Sequence, residues 1–258
     1  MDHHFSSPVT DIAEQRLPLE QAAPHGDDAT ELQRCKDQFE EAVQARVLEF
    51  ADTLWCTVSS LVHQAETQDA SASGHLRRLS DSCRVVATVL SFNSVYSEQL
   101  NYEFIYHLQQ ACLLHDIGKV GIPDTILLKP GKLTREEFDE MKKHTSIGAE
   151  TLRQAYPRLQ NNGILKMAID IALSHHERWD GKGYPDGLKG DEIPLSAQIV
   201  AICDVYDALR SVRPYKPAFT HQESMLEIRR ECGTHFNPAI CDAFNHCAEE
   251  IRYIYDIN

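Results

Sequence analysis

An all-α fold follows from three features of this sequence. From about residue 30, apolar residues recur at intervals of three and four. Few segments alternate as a half-buried strand would. The periodic runs end at proline, glycine or capping residues. The predicted architecture is a single helical domain over residues 30–258 that opens on a long helix and follows a flexible extension over residues 1–29.

The elements are read in chain order. Residues 1–29 mix Pro8, Pro18, Pro24 and Gly26 with acidic and polar side chains and carry no steady period, which predicts a mobile tail whose His3, His4 and His25 are solvated. Phe39, Val43, Val47, Phe50, Leu54, Val58 and Leu61 then form one apolar stripe. That long helix packs either in the domain core or, through its first half, against a second subunit. Residues 76–92 and 102–115 are the next periodic runs. Thr134 precedes Glu137 by three, a capping box that opens a helix expected to run to about Tyr156 and stop at Pro157. Ile164, Ala168, Ala172 and His176 mark another helix, closed by the Gly/Pro-rich loop 180–187. A helix over 195–211 stops before Pro214, and two short helices complete the chain, the second opening near Pro238.

Composition narrows the function. With 39 acidic against 25 basic side chains the formal charge is −14, so the chain lacks the cationic field that a nucleic-acid polymer requires. A small anion is still bindable through a few local cations or metals. The eight cysteines form no C-x-x-C pair and read as reduced core residues of a cytosolic protein. No apolar run is long enough for a membrane span, and the polar start, with Asp2, His3 and His4, is unlike a signal peptide. A soluble, intracellular protein is expected.

Seven residues carry the chemistry: His75, His115, Asp116, His144, His175, His176 and Asp204. Any one alone reads as a packing or surface residue. Together they end two apolar helices (His115–Asp116 and His175–His176) and interrupt a third, where Asp204 sits in the greasy run 199–209. An unpaired carboxylate there would be costly. Helices that offer imidazole and carboxylate to one core region are the pattern of a metal site inside a bundle. Nitrogen and oxygen donors without thiolate suit iron, manganese or similar divalent ions. Seven are too many for one tetrahedral ion and suit two octahedral ions that share a carboxylate. Such ions, roughly 3.5–4 Å apart, activate a bridging water and clamp an in-line phosphoryl displacement. Hydrolysis of a phosphate ester is the expected reaction.

The motifs that hold these residues are His115-Asp116-Ile-Gly-Lys119, His175-His176-Glu-Arg-Trp-Asp-Gly-Lys-Gly183-Tyr184-Pro185, Asp204-Val-Tyr-Asp207-Ala-Leu and Arg213-Pro-Tyr-Lys216. They resemble the HD-GYP family of bacterial cyclic di-GMP phosphodiesterases, a branch of the HD metal-dependent phosphohydrolases. The resemblance extends through 122–131, His144, 233–238 and the segment 66–78 around His75, and covers about residues 40–250.

It implies that the seven residues are the ligands of two divalent ions, most readily iron, with manganese as the alternative. Asp116 is then the bridge, and Lys119 approaches the scissile phosphate. Arg213 and Lys216 hold substrate phosphate. The Gly183-Tyr184-Pro185 loop shapes the substrate pocket and contacts GGDEF-type diguanylate cyclase partners. Trp179, Tyr206 and Tyr215 are candidates either for stacking guanine or for core packing. A homodimer through the N-terminal helix and a bacterial cytoplasmic location also follow from the family.

Three positions depart from the family pattern. Ser71 replaces a glutamate that supports a third ion in some members, so two ions are expected. Gln198 stands where arginine is common, and Asn237 where aspartate is common. The expected activity is opening of cyclic di-GMP to pGpG and onward to GMP. The alternatives are a catalytically weak cyclic di-GMP sensor that acts through a protein partner, and a phosphodiesterase for another cyclic dinucleotide such as cyclic GMP-AMP.

Overall fold

The computed structural model describes residues 30–43, 74–92, 95–155, 162–212 and 217–257. Among these residues the secondary structure is helical, apart from an isolated bridge between Cys232 and Phe236, as the periodicity predicts. The chain divides into two compact units, Met1–Trp55 and Cys56–Asn258. In the first, helix α1 (30–43) exposes Leu32, Phe39 and Val43. The tail predicted over 1–29 and the continuation of the stripe from Val47 to Leu61 lie outside the described residues.

The second unit is organised around α2 (His75–Phe92) and α8 (Leu195–Arg210). Leu79, Cys83, Val86 and Leu90 recur every three or four residues on α2 and are fully or nearly fully buried. Each such aliphatic side chain contributes roughly 1.5–3 kcal/mol. From Leu195 to Cys203, α8 is buried on every side, which marks it as the central helix of a bundle. It packs against α2 and α7 (Gly163–Ser174). Of the two carboxylates that follow on this helix, Asp207 is buried against protein and Asp204 is part-buried.

Helix α3 (Tyr102–Ala111) is capped by Asn101, whose side chain accepts the Phe104 N–H. The run predicted to continue to His115 tightens at Ala111 into a 3₁₀ turn, Cys112–Leu114. A second 3₁₀ turn, Ile117–Gly121, follows. His115 and Asp116 occupy the corner between the two turns, and each can point into the core. The short α4 (Asp124–Leu127) leads to α5 (Arg135–Met141), which opens with the predicted capping box between Thr134 and Glu137.

The single helix predicted from there to Tyr156 is two helices. It breaks at Lys142–Lys143, and α6 (His144–Ala155) begins at the histidine itself. The reason is local. In a continuous helix the Met141 carbonyl would accept the Thr145 N–H; here it accepts from the His144 ring at 2.7 Å, and the Thr145 N–H turns to the Lys142 carbonyl. No glycine or proline signals this break. The C-terminal region likewise holds three helices rather than two: α9 (His221–Arg230), α10 (Pro238–His246) and α11 (Ala248–Ile257), with the last turn of direction at Cys247. No described helix is long and apolar enough to cross a membrane.

Candidate metal centre

Five separate segments bring the seven predicted residues together. They form two groups: Asp116, His144, His175 and His176, and beside them His75, His115 and Asp204. In each group one donor atom per residue lies within 4.8 Å of the others. Asp116 stands between the groups. Its Oδ2 is 3.1 Å from His115 Nε2, and its Oδ1 is 3.3 and 3.7 Å from Nε2 of His144 and His175. Asp204 Oδ1 lies 3.8 Å from His75 Nε2 and 4.0 Å from His115 Nε2.

The imidazoles are held so that one nitrogen faces inward. His115, His144 and His175 each place Nδ1 on a backbone carbonyl, those of Cys112, Met141 and Ile171, at 2.9, 2.7 and 3.0 Å. A carbonyl only accepts, so each Nδ1 carries the proton and each Nε2 presents a lone pair to the cluster. This is how proteins orient histidine toward a metal. Burial takes His144 down to about 4 against the pull of Asp116, and burial together with His175 takes His176 well below its usual value. Neutral imidazole is the form that coordinates. Burial would raise Asp116, but the Lys119 ammonium and His115 outweigh it and hold the carboxyl well below its usual range.

The donors fit divalent cations. Asp116 Oδ1 is buried and accepts no hydrogen bond, although it faces two imidazole nitrogens. A buried carboxylate oxygen in that state is costly unless a cation neutralises it. All the donors are imidazole nitrogen or carboxylate oxygen, a set suited to first-row divalent metals.

Lys119 pairs with Asp116 Oδ2 and remains about 40% exposed, at the rim of the site. Tyr184 stacks on His176 with ring centroids 4.8 Å apart, edge-on to Phe138 and below the Lys142 ammonium. Its phenol is pushed above the usual range by burial and by the charges of Asp116 and Asp204. Gly183 is required by close approach: a Cβ there would lie 2.5 Å from the Arg178 nitrogen and the Glu177 Cα. Pro185 follows in a cis peptide bond. Arg213, Lys216 and Tyr215 lie outside the described residues. Tyr206 does not reach the site. It is fully buried between α8 and the C-terminal helices, bonded to His221 and Arg210, so of its two predicted roles it fills the core one. Trp179 joins the loop to 234–235 through its N–H on the His235 carbonyl.

Three residues were given no role on sequence grounds. Asp207 accepts hydrogen bonds from His75 and Arg78 behind the site. Glu177 Oε1 accepts the N–H groups of Asp186 and Gly187 and holds the Gly183–Pro185 loop closed. The available signal was a spacing of three: Asp204 to Asp207 on one buried helix and His75 to Arg78 on another. Two of the three departures from the family pattern, Gln198 and Asn237, meet, and Ser71 lies outside the described residues. Asn237 donates to Gln198 Oε1 at 2.8 Å, a contact between two neutral amides at the positions where the resemblance has arginine and aspartate.

A helical bundle that gathers histidines and aspartates from five segments into two adjoining donor groups defines a candidate metal-binding domain. A family model described as HD domain matches residues 65–240, and the chain belongs to that family. A cyclic di-GMP phosphodiesterase of Vibrio cholerae is 39% identical over 244 residues, covering 95% of this chain and 49% of the relative. A cyclic di-GMP phosphodiesterase of Thermotoga maritima is 40% identical over 217 residues, 84% of this chain and 55% of the relative. A 3'3'-cGAMP-specific phosphodiesterase 2 of Vibrio cholerae is 37% identical over 185 residues, 72% and 33%. The chain thus spans about half the length, or less, of these curated relatives. They bear out the HD-GYP resemblance.

Proposed function

We propose that this chain hydrolyses cyclic di-GMP, opening one phosphodiester to give pGpG and cutting that on to GMP, at a site that holds two divalent ions, iron or in its place manganese. The observation that carries the reading is the orientation of Asp116, one oxygen toward each group of donors. His75, His115 and Asp204 would hold one ion, His144, His175 and His176 the other, and Asp116 would serve both. Bound there, the ions supply a nucleophile at neutral pH and Lewis-acid stabilisation of the phosphate oxygens. The Lys119 ammonium, held at the rim by Asp116, meets charge developing on the phosphate. Arg213 and Lys216 hold substrate phosphate, Arg213 by its fork. Tyr184 and Pro185 wall the pocket, with Gly183 admitting the close turn.

The relatives support cyclic di-GMP as substrate, and the cGAMP-specific relative supports cyclic GMP-AMP as the second reading. The same reading carries a phosphohydrolase domain over 30–258 after an extension over 1–29, in a bacterial cytoplasm. It also includes GGDEF-type cyclases docking at the Gly183–Pro185 loop and a homodimer through α1, whose Leu32, Phe39 and Val43 are exposed. The test is anaerobic loading with Fe(II) or Mn(II), incubation with each dinucleotide, and separation of products with metal counted on the same sample. Conversion of cyclic di-GMP, abolished by Asp116→Ala, is expected. Two occupied sites with both dinucleotides intact would overturn the proposal and leave a binding module.

A further inference from the structure

The imidazoles of the site are backed in two different ways. Three rest on backbone carbonyls, but His75 places Nδ1 on a carboxylate, Asp207 Oδ2, at 2.7 Å. Asp207 is buried on α8, three residues beyond Asp204. It also accepts from Arg78 Nε at 2.8 Å through Oδ1, and from Arg78 Nη2 at 3.3 Å and Ser211 Oγ at 3.2 Å through Oδ2. Arg78 lies three residues beyond His75 on α2, its guanidinium over the Tyr255 ring of α11. The two central helices therefore meet as a ladder: His75 and Arg78 on one side, Asp204 and Asp207 on the other. Four hydrogen bonds on one carboxylate fix it in place, and through it the ring of His75.

A carboxylate behind an imidazole does more than a carbonyl. It draws on the Nδ1 proton and makes Nε2 a stronger donor, and removing such a partner typically costs about 10- to 100-fold in metal affinity. Resting on the two-ion reading above, we infer that Asp207 is a positioning residue for the ion held by His75, His115 and Asp204, and that it makes the two ion positions unequal. The Asp116–His144–His175–His176 position has no such backing at His144 or His175 and does not depend on it.

The test is Asp207→Asn in the full chain, stripped with chelator and titrated with Mn(II), with bound metal counted and the electron paramagnetic resonance spectrum recorded. Wild type is expected to take up two ions with a spin-coupled spectrum. The variant should bind one ion normally and the other about 10- to 100-fold more weakly, with an uncoupled Mn(II) spectrum at intermediate loading and unchanged circular dichroism. Should the variant not fold, Ser211→Ala removes only one hydrogen bond to Oδ2 and should weaken the same ion to a smaller extent. Unaltered loading in the folded variants, or equal weakening of both ions, overturns this inference alone. Fewer than two ions in wild type overturns the two-ion reading and the inference with it.

Discussion

Gly118 is the narrowest point between the 3₁₀ turn Ile117–Gly121 and α6. A Cβ built there would lie 1.9 Å from the His144 carbonyl oxygen, 2.4 Å from the Gly148 nitrogen and 2.9 Å from its Cα. All three are backbone atoms of α6, so no rotamer relieves the clash in Gly118→Ala. In a close-packed interior the turn and the helix must separate by about 1 Å or more. Overpacking of this kind costs about 1–3 kcal/mol, which for a domain of this size lowers the melting temperature by about 2–12 °C. The displacement falls between Asp116 and His144, whose facing atoms are 3.3 Å apart, so loading with metal should also weaken.

Gly121→Ala is the matched control. Its Cβ would meet Ile147 Cγ2 at 2.9 Å and Cδ1 at 3.2 Å, side-chain atoms that a small shift of one residue moves, where Gly118 faces backbone. Neither glycine has a positive φ. Each substitution therefore gains the same roughly 0.4–1 kcal/mol from a stiffer unfolded chain, and the difference between the variants isolates the clash. Thermal unfolding of chelator-stripped protein, followed by Mn(II) titration, measures both effects. Equal melting of the two variants, or wild-type metal loading by Gly118→Ala, would refute the reasoning.

Three further outcomes are expected. Gln198→Arg or Asn237→Asp alone leaves a buried charge facing an amide and should cost about 1–3 kcal/mol, whereas the double variant should regain at least about 1 kcal/mol through coupling; additive losses in denaturant unfolding would exclude a shared contact. Glu177→Ala removes the acceptor of the Asp186 and Gly187 N–H groups and should speed hydrogen exchange of those amides about tenfold or more, while Glu177→Gln keeps an acceptor and stays closer to wild type. Protection unchanged in the alanine variant would sink the loop-clamp role. The Glu137 carboxyl is held below its usual range by Lys129 and the Thr134 N–H. Its support of α5 is therefore present above the ordinary carboxylate range and lost as pH falls through the lowered value. The stability gap between wild type and Glu137→Gln should narrow in acid, and a gap independent of pH counts against it.

Much of the helical order is legible because it depends on neighbours in sequence. The 3–4 spacing along α2, the Thr134–Glu137 capping box and Pro238 at the start of α10 all act within a few residues. Two helix boundaries that differ from the periodicity carry no local signal. The break before His144 is made by a side chain that takes the carbonyl of Met141, and the corner at Cys247 occurs without glycine or proline.

The chemical identity of the site residues belonged to the sequence, since imidazole and carboxylate in apolar helices are legible as donor types wherever the chain takes them. Which oxygen of Asp116 meets which histidine, and that Asp207 and Arg78 stand behind His75, was decided by the tertiary structure. Asp207 lies 132 residues from His75 along the chain yet 2.7 Å from its ring. Such a contact exists only because α2 and α8 bury their apolar faces against each other. Spacing along one helix gives the face a residue occupies, and the packing of two helices determines what that face meets.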